Sequence, residues 1–186
     1  MLMEYYENMK KVFDAFVDRS ENLENMAKAK DILENTRKAG KCIYLIGNGG
    51  SASVAEHVAI DLTKNAGLRA TALSGATMIT TFSNDYGYEN VFKKYLESFA
   101  FEDDVLIAIS SSGSSKNIVN ACDEARRKSM HVITLSGFKG DNPLRMKGDI
   151  NFWVETEAFG FLEILHSLIL HWINDSIIGK EVYMIR

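Results

Sequence analysis

Residues 104–117 read DVLIAISSSGSSKN, and the fold turns on this stretch. Val105 to Ile109 is a continuous apolar run, the pattern of a strand buried on both faces. It passes without interruption into five serines and one glycine, Ser110 to Ser115. A helical pattern follows at once, with Ile118, Val119, Cys122 and Ala125 on one face at three- and four-residue spacing. A strand, a small-residue loop and a helix start make an anion cradle. The first-turn N–H groups have no partner inside the helix, and the macrodipole adds partial positive charge. Serine hydroxyls donate further hydrogen bonds to phosphate oxygens. The plainer reading is a solvated serine loop that only caps the helix.

A second loop has the same construction. Lys41 to Ile46 is a short apolar run that breaks into Gly47-Asn-Gly-Gly-Ser-Ala52 and then a helical stretch. The letters match G-x-G-x-x-A, but a dinucleotide site also needs an acid at the end of the next strand to hold the ribose. That strand, Leu68 to Leu73, ends in Ser74-Gly75-Ala76 and has no acid. There is no G-K-[ST] either, so a Walker loop is excluded. Two glycine- and serine-rich loops without a nucleotide handle point to one small phosphorylated ligand held from two sides.

The rest of the chain alternates regularly. Helices are expected near 2–19 and 22–39. Strands near 42–46, 68–73, 104–109, 131–135 and 149–154 then alternate with helices near 51–65, 76–83, 88–100, 115–128 and 159–178. Such a pattern predicts an α/β fold: a three-layer αβα sandwich around a five-stranded parallel sheet, flavodoxin-like, preceded by two helices. The 186 residues suffice for one core, and a single domain over 1–186 is expected. A net charge of −4 gives no general attraction for nucleic acid, so any phosphate site is local. Cys42 and Cys122 read as small core residues rather than a disulfide or metal pair. With no leader-like start and no apolar run of spanning length, a cytoplasmic, membrane-free protein is expected. The last helix is apolar nearly all round, which predicts burial on every side and hence a homo-oligomer, a tetramer.

Gly47 to Ala52 with His57 a few residues on, then Asn84-Asp-Tyr-Gly-Tyr88, then Ser110 to Ser115, together resemble the sugar isomerase (SIS) domain family. Within it the similarity is to the phosphoheptose isomerases, which convert sedoheptulose 7-phosphate to an aldoheptose 7-phosphate. The resemblance spans about residues 5–178. It implies a five-stranded αβα sandwich and a homotetramer with sites between subunits.

An aldose–ketose isomerase moves a proton between neighbouring carbons through an enediol and needs an acid and a base there. His57 and Asp61 stand at i and i+4 on one helix face. On the last helix Glu163 lies within angular reach of either His166 or His171, but the two histidines point about 140° apart, so one of them faces a site. The plain reading of each is a satisfied core or interface histidine. His131 opens a strand and carries no role. The resemblance implies Asp61 and His171 as the acid/base pair. It also implies a zinc or similar divalent site from His57, Asp61, Glu163 and His171. Two positions depart from the family: Asp61 stands for the usual Glu and is one methylene shorter, and Glu163 stands for the usual Gln and adds a charge.

For the substrate, Ser110, Ser112 and Ser115, with the N–H groups of residues 114–117, are expected to hold phosphate. Asn48, Gly49 and Ser51 should contact the sugar or its phosphate, and Asp85 a sugar hydroxyl. A non-catalytic phosphosugar-binding or regulatory SIS protein is the alternative; a nucleotide-dependent enzyme is disfavoured by the missing ribose acid.

Overall fold

The computed structural model describes residues 1–182. Its five strands are β1 (Cys42–Ile46), β2 (Arg69–Ala72), β3 (Val105–Ser110), β4 (His131–Ser136) and β5 (Ile150–Trp153). They form one parallel sheet in the order β2-β1-β3-β4-β5. Helices α1 (Leu2–Val17) and α2 (Ser20–Lys38) precede the sheet. They are followed by α3 (Gly50–Lys64), α4 (Ala76–Tyr86), α5 (Val91–Phe99), α6 (Lys116–Arg127) and α7 (Phe159–Ile178). The expected sandwich is the one found.

The three layers follow from strand alternation. Odd positions such as Ile43, Leu45, Val105, Ile107, Ile109, Ile133 and Leu135 face α1, α2, α3 and α7. Even positions such as Tyr44, Ile46, Leu106, Ala108 and Val132 face α5 and α6, with α4 packed alongside. All six residues of β3 are buried, as a strand covered on both faces requires. The edge strand β2 alternates exposed and half-buried residues.

Strand order reverses between β1 and β3, which are paired through Ile46 and Ala108. Such a switch point leaves a crevice beyond the carboxyl ends of the two strands. The glycine loop leaves β1 there and the serine loop leaves β3 there, so both expected anion loops open on one crevice.

One expectation needs correction. Helix α4 continues to Tyr86 and ends only at Gly87, whose φ of 80° breaks it. Asn84 and Asp85 therefore lie in its last turn rather than in a loop. Helix α7 is not covered on every side within one chain: Ile164, Leu168 and Trp172, at four-residue spacing, are 52%, 41% and 38% exposed. Among the described residues no helix is long and apolar enough to cross a membrane.

Candidate active site

The glycine loop is shaped by close approach. A Cβ at Gly47 would lie 2.8 Å from the Ala52 backbone nitrogen, so only glycine lets β1 turn this tightly into α3. Gly49, the residue before α3, has φ 56° and offers no side-chain cap. The helix start is left open to the crevice. On the other side Ser115 precedes α6, and it makes no side-chain capping bond either. The plain capping reading of the serine loop therefore fails. The Ser115 hydroxyl instead accepts from Ser110 Oγ at 3.2 Å, and Ser114 N–H donates to Ser112 Oγ at 3.3 Å.

The two loops line one cleft of about 280 Å³. Asn48, Gly49, Ser51, Ser110, Ser112 and Ser115 all line it, as expected from the sequence, with Ser111, Phe159 and Glu163 beside them. Hydroxyls, two open helix starts and half-buried walls make a site for a small anion. Asp85 is exposed and is not among the lining residues; its carboxylate accepts from Asn84 Nδ2 at 2.9 Å. Tyr88 of the same stretch reaches a residue of the cleft wall, donating to Asn48 Oδ1 at 2.8 Å. Asn117, buried in the first turn of α6, pairs with the Asn48 carboxamide at 2.8 and 3.0 Å. The sequence reading used only the backbone of Asn117 and placed Tyr88 at the start of the helix expected near 88–100.

A second group lies where α3 packs on α7. His57 Nε2 is 3.4 Å and His171 Nδ1 3.5 Å from the same oxygen, Asp61 Oδ2. The two rings meet edge to face with centroids 5.3 Å apart. Asn65 Nδ2 donates to the other carboxylate oxygen, Oδ1, at 3.2 Å and fixes the carboxylate. One donor atom from each of the three residues lies within 4.8 Å of the others. With ligand bonds of 2.0–2.1 Å, a tetrahedral zinc site has donor–donor edges of about 3.3 Å. Two edges of this group are already near that value, so the residues fit a divalent ion, with a position left for substrate.

Glu163 is not part of this group. Its carboxylate packs on Gly50 at the start of α3, where a Cβ would sit 2.7 Å from Oε2 and closer to Oε1. The reason is helical rise: eight residues separate it from His171, which is about 12 Å along the axis. The resemblance had placed the two in one ligand set, and angular position along the helix had left Glu163 within reach of either histidine. His166, the other histidine, points into the core. It is fully buried, with Nε2 3.3 Å from the Ser136 carbonyl and Nδ1 without a partner. Burial pushes its pKa down to about 4, so the ring is neutral and structural. His131 stands exposed at the start of β4.

The SIS domain model matches residues 4–137, which includes both loops and the helices that follow them. The chain belongs to the SIS domain family. A phosphoheptose isomerase of Proteus mirabilis is 38% identical over 175 residues, covering 90% of this chain and 89% of its own length. Among solved structures, phosphoheptose isomerases from Neisseria gonorrhoeae and Francisella tularensis are 28% and 29% identical. Each superposes with a TM-score of 0.88 over 96% of this chain and 97% of its own. The SIS likeness thus extends past the matched segment to α7, which carries His171 and Glu163.

Proposed function

We propose that this protein is a phosphosugar isomerase, interconverting sedoheptulose 7-phosphate or a closely related ketose phosphate with its aldose. The observation that carries this reading is the pairing of an anion cleft with an Asp–His–His group on the same two helices, α3 and α7. The near-full-length similarity to proteins named phosphoheptose isomerase supports it.

The phosphate occupies the serine cradle, held by Ser110, Ser112 and Ser115 and by the start of α6. Asn48, Gly49 and Ser51 hold the phosphate and the near end of the sugar. The reacting carbons reach Asp61 and His171. Glu163 at the cleft and His171 are about 12 Å apart along α7. Eight bonds join C1 to phosphorus in a heptose 7-phosphate. They span roughly 9 Å at the advance per bond of extended backbone. An extended chain of that length fits within the spacing of the two positions.

In the forward direction the base takes a proton from C1 while the C2 carbonyl oxygen gains one, leaving the enediol. Return of a proton to C2, while O1 gives up its own, gives the aldose. Asp61 is the group for carbon, its carboxylate held in place by Asn65. His171, 3.5 Å away, serves the oxygens as acid and base. Zinc or a similar ion held by His57, Asp61 and His171 would supply polarisation of the substrate oxygens. Glu163 belongs to the sugar end in this reading, not to the ion.

The exposed stripe of Ile164, Leu168 and Trp172 borders a groove of about 690 Å³ that His171 also lines. An apolar face beside a catalytic residue supports assembly with further copies, a tetramer, in a cytoplasmic enzyme of heptose supply for surface polysaccharide. Aldose formation from sedoheptulose 7-phosphate tests the activity. Asp61→Asn should lower kcat by roughly 10²–10⁴-fold. Wild-type protein that binds this sugar phosphate yet turns over no ketose phosphate would instead be a non-catalytic SIS module. A monomer by light scattering with full activity would remove the tetramer.

A further inference from the structure

Asn48 is held by more bonds than a cleft side chain needs. Its Oδ1 accepts from Tyr88 Oη at 2.8 Å and from Asn117 Nδ2 at 2.8 Å. Its Nδ2 donates one hydrogen to Asn117 Oδ1 at 3.0 Å. Amide orientation is ordinarily ambiguous, because oxygen and nitrogen look alike. Here a backbone group settles it. Asn117 Oδ1 also lies 3.1 Å from the Ile118 N–H, which can only donate. That end of Asn117 must therefore be oxygen, its other end nitrogen, and the Asn48 atom facing that nitrogen oxygen. Both lone pairs of Asn48 Oδ1 are then used, and one N–H remains.

We propose that Asn117 and Tyr88 are positioning residues that present Asn48 to the cleft solely as a hydrogen-bond donor, so that it binds a phosphate oxygen of the ligand. This rests on the anion cleft proposed above but not on the isomerase chemistry. The three residues come from the start of α6, from the turn after α4 and from the glycine loop, so the network also ties the two anion loops together. The turn is itself anchored, since Asn120 Nδ2 on α6 donates to the Glu89 carbonyl at 2.9 Å. A locked donor spares the ligand the ordering of a free carboxamide.

Tyr88 is 52% exposed, so Tyr88→Phe removes one hydroxyl without opening the core. Titration calorimetry with sedoheptulose 7-phosphate, and with inorganic phosphate, is run on wild type, Tyr88→Phe, Asn48→Ala and the double variant. Tyr88→Phe should weaken both ligands about 5-fold, the worth of one neutral hydrogen bond, at an unchanged melting temperature. In the Asn48→Ala background the same change should have no effect, because Tyr88 acts only through Asn48. Equal losses in both backgrounds would overturn the proposal, as would an effect on the sugar phosphate with none on phosphate itself. Failure of wild type to bind either ligand would remove the cradle and the proposal with it. Coupled binding without turnover would leave the proposal standing and defeat only the isomerase assignment.

Discussion

Substitution of Gly113 by alanine should damage the serine cradle in a way that can be worked from the structure. Gly113 has φ 64°, the left-handed region, which costs a residue with a Cβ roughly 1–2 kcal/mol. The new methyl would also meet Asn142, at 2.8 Å from its Cβ and nearer still to its carboxamide. Asn142 cannot swing away. It is buried, and its Nδ2 donates to Ser136 Oγ and the carbonyls of Gly137 and Lys139, while its Oδ1 accepts from Arg145 N–H. Overpacking of this kind costs about 1–3 kcal/mol. The Gly113 carbonyl also accepts from Leu144 N–H at 2.9 Å, so a shift of the loop breaks a further bond. Gly113→Ala should therefore lose about 2–5 kcal/mol in urea denaturation and show a raised KM, because Ser112 and Ser115 flank the distorted turn. Stability within about 0.5 kcal/mol of wild type together with an unchanged KM would refute this view of the loop.

Ser112→Ala removes one hydroxyl from a charged ligand and should raise KM by roughly 10-fold or more with kcat little changed, since such a bond is worth about 1.5–3 kcal/mol; steady-state kinetics check it. Chelation should lower both the melting temperature and the activity, and zinc should restore them; His57→Ala should abolish the chelator's effect on melting. His166 titrates near 6.5 when unfolded and near 4 when folded, so the unfolded chain binds more protons in between. Stability should thus rise with pH from 4 to 6.5, by at most about 3 kcal/mol from this group, and denaturation of a His166→Gln variant should show a shallower slope over that window.

The fold was legible in the sequence because a parallel sheet buried on both faces leaves near-continuous apolar runs. Val105 to Ile109 and Cys42 to Ile46 are such runs, and each breaks into small residues where its strand ends. The loops were legible for the same reason. Side-chain partnership across loops was not. Nothing in the spacing of Asn48, Tyr88 and Asn117, 40 and 69 residues from the first to the others, shows that they converge. The helix expected near 76–83 runs on through Asn84 and Asp85, residue types that favour turns, and its stop is supplied by Gly87. Glu163 was joined to His171 by the resemblance, and angle left either histidine within its reach, while the rise of α7 separates the two. His166 and His171 differ by which face of α7 meets the sheet, and only packing decides that.

The most direct test of the isomerase reading is turnover of sedoheptulose 7-phosphate in D₂O, followed by NMR of the product. An enediol reprotonated after the proton on Asp61 has exchanged with solvent gives an aldose carrying deuterium at C2, with Asp61→Asn or His171→Ala slowing formation of the aldose. Binding of the sugar phosphate with no aldose formed from it or from any other ketose phosphate would contradict the account.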